Sequence, residues 1–176
     1  YRSKMRNGSA RREGNELLRS RVAGQLVLAM LIGPGSQAFE EFYADGLVDE
    51  SLSFSYTVEP EYAYLMISGD SLQPERAAEK ISRRLEGLVK DKIYDDNRMT
   101  ELIRSSLGRF LRSLDDVSRC GEAAAKIRLS HLEFSDFASV YYHAQNPAMT
   151  EELSFVRAEN RASVIVHGRK KGRDER

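Results

Sequence analysis

Residues 33–69 read GPGSQAFEEFYADGLVDESLSFSYTVEPEYAYLMISG, and this stretch decides the fold class. Gly33-Pro34-Gly35 ends a preceding helix, because proline has no N–H to donate and glycine relaxes the cap. A short amphipathic helix starts at Ser36, whose hydroxyl can accept a first-turn N–H, and it closes at Gly46. Two strands follow with only a short turn between them, so the stretch predicts a helix–strand–strand unit.

The two strands differ in their apolar pattern. In the first, apolar residues alternate with serine and threonine, which is the pattern of a half-buried strand. These apolar residues are Leu52, Phe54, Tyr56 and Val58. The second runs from Glu61 to Ser68 and is apolar at nearly every position, which predicts burial on both faces and a central place in the sheet. Strands this close in sequence pair as an antiparallel hairpin.

Helical periodicity dominates the rest of the chain. We expect helices over residues 15–32, 74–89, 99–114, around 123–127 and over 134–144, and a last helix capped by Thr150. Gly108 interrupts the most regular apolar stripe and predicts a close approach of that helix to a strand. Ala162–His167 predicts a third strand, and a further strand is expected upstream of residue 15.

Helices and strands are segregated along the chain, which is typical of an α+β fold with helices packed on one face of a largely antiparallel sheet. In this interpretation the sequence pattern does not show the first strand of the sheet. The domain organisation is a flexible basic N-terminus (1–14), a single α+β domain (15–168) and a basic tail (169–176).

The amino-acid composition argues against several classes of partner and favours one kind of compartment. The 176 residues carry 41% hydrophobic and 31% charged residues with a net charge of zero, which argues against a nucleic-acid partner. The single cysteine, Cys120, excludes a disulfide within the chain and favours a reducing, cytoplasmic compartment. The apolar run Leu26–Ile32 is shorter than the about 18 residues that span a membrane, so we expect no membrane partner.

No residue pattern predicts an active site. The three histidines, His131, His143 and His167, lack the spacing of zinc ligands, so the expectation is no metal site in this chain. Cys120 is followed by small residues and is interpreted as a packing residue on a helix face. Paired acids such as Glu40-Glu41 and Asp95-Asp96 stand where helix starts and connectors favour them.

The hairpin carries a cluster of aromatic residues: Phe54, Tyr56, Tyr62 and Tyr64. Two interpretations stay open for them. They form a core, or they line a sheet face that accepts an extended peptide, since tyrosine combines an apolar ring with a polar end. The candidate substrate-binding residues are therefore Tyr56, Tyr62 and Tyr64.

Residues 39–81 resemble the non-catalytic domain of the pitrilysin/insulinase-type zinc metallopeptidases, the inverzincins, and within them the bacterial zinc-protease branch. The similarity lies in a helix ending in Gly-Leu-Val-Asp, a serine-rich strand and a tyrosine-rich strand ending in Ser-Gly. The segments LGRFLRS (107–113) and MTEEL (149–153) with SVIVHG (163–168) are also similar to that branch. The resemblance covers about residues 15–168.

The resemblance implies one lobe of a two-lobed protein that closes on a peptide. In the family the first lobe carries H-x-x-E-H and holds zinc, and that motif is absent here, so the chain resembles the inactive second lobe. Zinc is then implied in the partner lobe, of the same chain or a paired subunit, and a peptide is implied as substrate. Some second lobes contribute an arginine and a tyrosine, but residues 43–50 contain no arginine, so no catalytic residue is predicted.

Two alternatives remain. One is a scaffold or interaction protein of the same fold in a complex without peptidase activity. The other is a stand-alone enzyme of a different class that uses Cys120 or a histidine.

Overall fold

The fold is α+β, as the sequence predicts. The computed structural model describes residues 2–4, 15–129, 139–141 and 147–167. In chain order its elements are β1 (Arg2–Lys4), α1 (Asn15–Ile32), α2 (Gln37–Ala44), β2 (Ser53–Glu59), β3 (Tyr62–Ser68), α3 (Pro74–Lys90), α4 (Asp96–Ser113), α5 (Val117–Leu129) and the 3₁₀ segments Pro147–Leu153 and Ala158–Asn160.

The sheet has the strand order β1–β3–β2, with both neighbours antiparallel to β3. The hairpin and the central place of β3 are thus confirmed. β1 lies upstream of residue 15, where the sequence predicts a further strand, and it pairs with only Tyr62–Tyr64. These three residues fall within the range 1–14, for which the sequence predicts a flexible terminus.

The prediction that β3 is buried on both faces is wrong. Ala63 and Leu65 point to the helices and are 9% and 3% exposed, whereas Tyr62, Tyr64 and Met66 lie on the opposite face and are exposed. The reason is that the described helices cover one face of the sheet only. An unbroken apolar run does not reveal which of its two faces another layer will cover.

The helix α1 is the centre of the core. Val27, Leu28 and Ile32 are fully buried, and buried residues occur on most sides of this helix. Its neighbours are β2, α2, α3, α4 and the first 3₁₀ segment. Among the described residues, no single helix is long and apolar enough to cross a bilayer. The pair α1 and α2, bent by 45°, would be long and apolar enough together, by length and composition only.

The predicted helix start at Ser36 is confirmed. Its hydroxyl oxygen accepts the backbone N–H of Phe39 at 3.1 Å, and the serine is buried. Gly35 before the cap and Gly46 after the helix have φ of +78° and +64°, the left-handed region that glycine tolerates best. The carbonyl of Pro34 accepts a hydrogen bond from Arg98 of α4, which fixes the turn against that helix.

Glycine makes a close helix–strand approach, but not where the sequence predicts it. No described residue lies within 4 Å of a Cβ added at Gly108, so the predicted approach to a strand is wrong for the strands that the structure describes. The close approach is at Gly24 of α1, where an added Cβ would lie 2.1 Å from Cε1 of Tyr56 on β2. Periodicity alone does not distinguish the two glycines, because both lie within helices.

The carboxyl-terminal third differs most from expectation. Ala162–His167 forms no strand, since the described residues supply no ladder partner for it, and its Val164 and Val166 are exposed. Strand propensity is realised only beside a neighbouring strand. Thr150 is buried inside a 3₁₀ segment instead of capping an α-helix. Most of the helix predicted over 134–144, with His131, His143 and the tail 169–176, lies outside the described residues.

Candidate functional site

The open face of the sheet carries an apolar strip along β3, formed by Tyr62, Tyr64 and Met66. The two tyrosines are each 37% exposed and Met66 is 55% exposed. The tyrosine rings stack with centroids 6.2 Å apart and planes 16° from parallel. Residues i and i+2 of a strand lie on the same face, which is why the sequence places these three together.

Polar residues of β2 flank this strip. Thr57 is the cross-strand partner of Tyr64, Ser55 that of Met66, and Glu59 that of Tyr62. At the far end, the hydroxyls of Ser53 and Ser68 lie 2.9 Å apart across the two strands. The face therefore offers an apolar strip bordered by hydroxyls and one carboxylate.

Tyr56, the remaining candidate, lies on the other side of the sheet. It is 5% exposed, its ring stacks on Phe155 with centroids 6.3 Å apart, and its hydroxyl donates to the carbonyl of Glu152 at 3.4 Å. The aromatic cluster is therefore divided between the two faces of the sheet. Tyr56 is a core residue, and Tyr62 and Tyr64 lie on the accessible face.

The outer edge of β2 is closed by side chains of α1. The amide oxygen of Gln25 accepts the backbone N–H of Tyr56 at 3.0 Å, and the guanidinium of Arg21 donates to the carbonyl of Val58 at 3.0 Å. Arg21 also lies 3.6 Å from the carboxylate of Glu59. Side chains thus take the place of a further strand here, which protects an edge that would otherwise template β-pairing.

The carboxylates near the start of the hairpin have local partners. Lys80 of α3 donates to the Asp45 carboxylate, and this hydrogen bond together with the charge of Lys80 lowers the pKa of Asp45. Asp49 accepts the backbone N–H of Ser51 at 2.8 Å, and its hydrogen bonds with Ser51 lower the pKa of Asp49. Both acids therefore hold local structure in the ionised form.

The remaining sequence candidates do not converge on a reactive centre. Cys120 is half-buried on α5, and the imidazole of His167 lies 3.1 Å from the carboxylate of Glu75 at the start of α3. Within the part of the chain that the structure describes, no group of three histidine, cysteine or carboxylate side chains could hold a metal ion.

Similarity to known proteins places this geometry in context. The chain is 31% identical over 102 residues to "Uncharacterized zinc protease YmfH" of Bacillus subtilis (strain 168), a match that covers 58% of this chain and 23% of that protein. Its fold is similar to the crystal structure of a "putative M16-like peptidase" from Alicyclobacillus acidocaldarius, with a TM-score of 0.67 and 24% identity over 80% of this chain and 34% of that one. No family model matches the chain.

These similarities confirm the predicted resemblance as far as they reach: the chain is similar in sequence to a bacterial protein named as a zinc protease, and its fold is similar to that of an M16-like peptidase. The match spans less than a quarter of the Bacillus relative and about a third of the Alicyclobacillus one.

Proposed function

We propose that this chain is the non-catalytic lobe of a two-lobed, zinc-peptidase-like protein. It forms half of a chamber that encloses a peptide, and it docks to a lobe that bears the zinc. The observation that carries the proposal is the exposed strip Tyr62, Tyr64 and Met66 on a sheet face that no described helix covers, in a relative of a zinc protease.

The strip suits an extended peptide. Side chains of a peptide in extended conformation alternate at about 3.3 Å per residue, the same period that spaces the three residues along β3. Two stacked tyrosine rings provide apolar contact area at a low entropic cost, and their hydroxyls can bond to a peptide backbone. Thr57 and Ser55 beside the strip add further hydroxyl groups.

The chemistry of peptide hydrolysis comes from the other lobe in this proposal. A catalytic zinc needs about three protein ligands around an open position, and the resemblance assigns these ligands and the general base to the companion lobe. This chain then contributes shape and peptide contacts but no reacting group. The single cysteine of this chain favours a reducing, cytoplasmic setting for this lobe.

The test uses the full-length protein that contains this chain. Zinc content and hydrolysis of denatured casein are measured for the parent and for Tyr62→Ala and Tyr64→Ala. An aromatic contact contributes about 0.5–1.5 kcal/mol, so each substitution should raise KM about 2- to 12-fold and leave kcat unchanged.

Tyr43→Ala is the matched control, because this tyrosine is 51% exposed but lies on α2 in the helical layer. Equal effects of Tyr43→Ala and Tyr64→Ala would refute the role of the strip. A full-length protein that holds no zinc and hydrolyses no peptide would support the scaffold function instead.

A further inference from the structure

Met66 adds a sulfur atom to the exposed strip. It is 55% exposed, whereas Met30 and Met99, the other methionines whose burial the structure describes, are 5% and 1% exposed. The sulfur of Met30 also accepts the backbone N–H of Asp95 at 3.3 Å. A thioether reacts with a dissolved oxidant only where the two can meet, so accessibility sets the order of reaction. Among these three methionines, Met66 is the one that an oxidant in solution reaches first.

Access to Met66 is across the open face of the sheet. Tyr62 and Tyr64 lie on the same face, each has a strand on both sides, and each is still 37% exposed. A neighbouring strand therefore does not shield the side chains of this face. The cross-strand partner of Met66 on β2 is Ser55, whose side chain is much shorter. The side chain of Met66 is thus open to a small oxidant whatever lies beside the edge of β3.

The oxidant that suits a thioether is a peroxide. A lone pair of the sulfur attacks hydrogen peroxide, an S–O bond forms while the O–O bond breaks, and water leaves. Sulfur loses an electron pair in this step and the peroxide gains it. A methionine sulfoxide reductase reverses the reaction with a dithiol, which becomes a disulfide while the oxygen leaves as water. The modification is therefore reversible.

Oxidation changes the strip from apolar to polar at one end. The thioether of Met66 is apolar and flexible, whereas its sulfoxide is polar. Because Met66 lies on the same face as Tyr64, a peptide that follows the strip covers both residues. The peptide then has to remove water from the sulfoxide oxygen. A polar group that loses its water without gaining a hydrogen-bond partner weakens binding.

We propose that Met66 is a reversible oxidation site that controls peptide binding at the strip. The inference rests on the proposed function, because it concerns the regulation of the same strip. In the thioether form, the strip is apolar over its whole length and binds the peptide. In the sulfoxide form, Tyr62 and Tyr64 keep their contacts but the Met66 end loses its apolar contact, so the peptide binds more weakly.

Peptide mapping by mass spectrometry measures the first step. The full-length protein with Cys120→Ser, which removes a competing thiol, is treated with dilute hydrogen peroxide for increasing times. The fraction of each methionine that has gained an oxygen atom is followed. We expect Met66 to be oxidised at least about tenfold faster than Met30 and Met99, which serve as internal controls.

Peptide affinity measures the second step. The KM for hydrolysis of denatured casein is determined before and after peroxide, or the Kd for labelled casein if the full-length protein is a scaffold. Oxidation should raise this constant at least about fivefold, the effect of an unpaired polar group in a contact, and a methionine sulfoxide reductase should restore it. Met66→Leu replaces the thioether by an apolar side chain of similar volume. Compared only with itself before and after peroxide, this variant should not change.

Three results would overturn the inference. They are oxidation of Met66 no faster than that of Met30, an oxidised Met66 with an unchanged constant, and an equal effect of peroxide on Met66→Leu and on the parent. Each leaves the proposed function standing, because Tyr62→Ala and Tyr64→Ala test it without peroxide. A full-length protein that neither hydrolyses nor binds casein removes the proposed function, and the inference with it.

Discussion

The substitution Gly24→Ala tests the contact between α1 and the sheet. Replacing glycine by alanine inside a helix normally stabilises a protein by about 1 kcal/mol, because alanine loses less backbone entropy on folding. Here the added Cβ would lie 2.1 Å from Cε1 and 2.2 Å from Cδ1 of Tyr56. Real carbon atoms do not approach so closely, so the helix or the ring must move.

The ring of Tyr56 has little room to retreat. It is stacked on Phe155, its hydroxyl donates to Glu152 and the side chain is 5% exposed. Overpacking of this kind costs about 1–3 kcal/mol, occasionally more. After the gain in helix propensity is subtracted, we expect a net loss of up to about 2 kcal/mol, which lowers Tm by up to roughly 8 °C for a chain of this size.

Urea and thermal denaturation measure the effect, and two further variants isolate its cause. At Gly87 on α3 no described residue lies within 4 Å of the added Cβ, so Gly87→Ala should stabilise by about 0.5–1 kcal/mol. In a Tyr56→Ala background the clash is gone, and Gly24→Ala should then become stabilising by up to about 1 kcal/mol. A Gly24→Ala variant as stable as Gly87→Ala would refute the close packing of α1 on β2.

Three other contacts give predictions of their own. Ser36→Ala removes the helix cap and should cost about 1 kcal/mol in urea denaturation, while Ser36→Thr keeps most of it. Gln25→Leu removes the acceptor of the Tyr56 N–H and should cost about 1 kcal/mol, a loss that Gln25→Glu should largely avoid if the contact is a hydrogen bond. Lys80→Met should raise the pKa of Asp45 towards 3.8 in an NMR titration. Because the pKa of Asp45 is lowered in the folded state, the pair stabilises the fold above about pH 4, and this contribution is lost as the pH falls through the lowered pKa. An Asp45 titration that is the same with and without Lys80 would exclude the pairing.

The candidate site shows where sequence reasoning succeeds and where it stops. The tyrosines of the hairpin are recognisable as candidates from residue type alone, and their shared face follows from the period of the strand. Their separation into Tyr56 in the core and Tyr62 with Tyr64 on the open face follows from the hairpin register and from the position of α1. Neither the hairpin register nor the position of α1 can be predicted from the sequence of one strand, so the sequence leaves both interpretations open.

The sequence by itself determined the local structure: the cap at Ser36, the antiparallel hairpin, the helices α1 to α4 and the α+β class. Those features depend on backbone chemistry and on periodicity over a few residues. Only the tertiary structure decided that α1 is buried on nearly all sides, that β3 has one open face and that Gly24 rather than Gly108 makes the close approach. It also left Ala162–His167 outside the sheet. Each of these depends on what lies opposite a residue, which is set by elements distant in the chain.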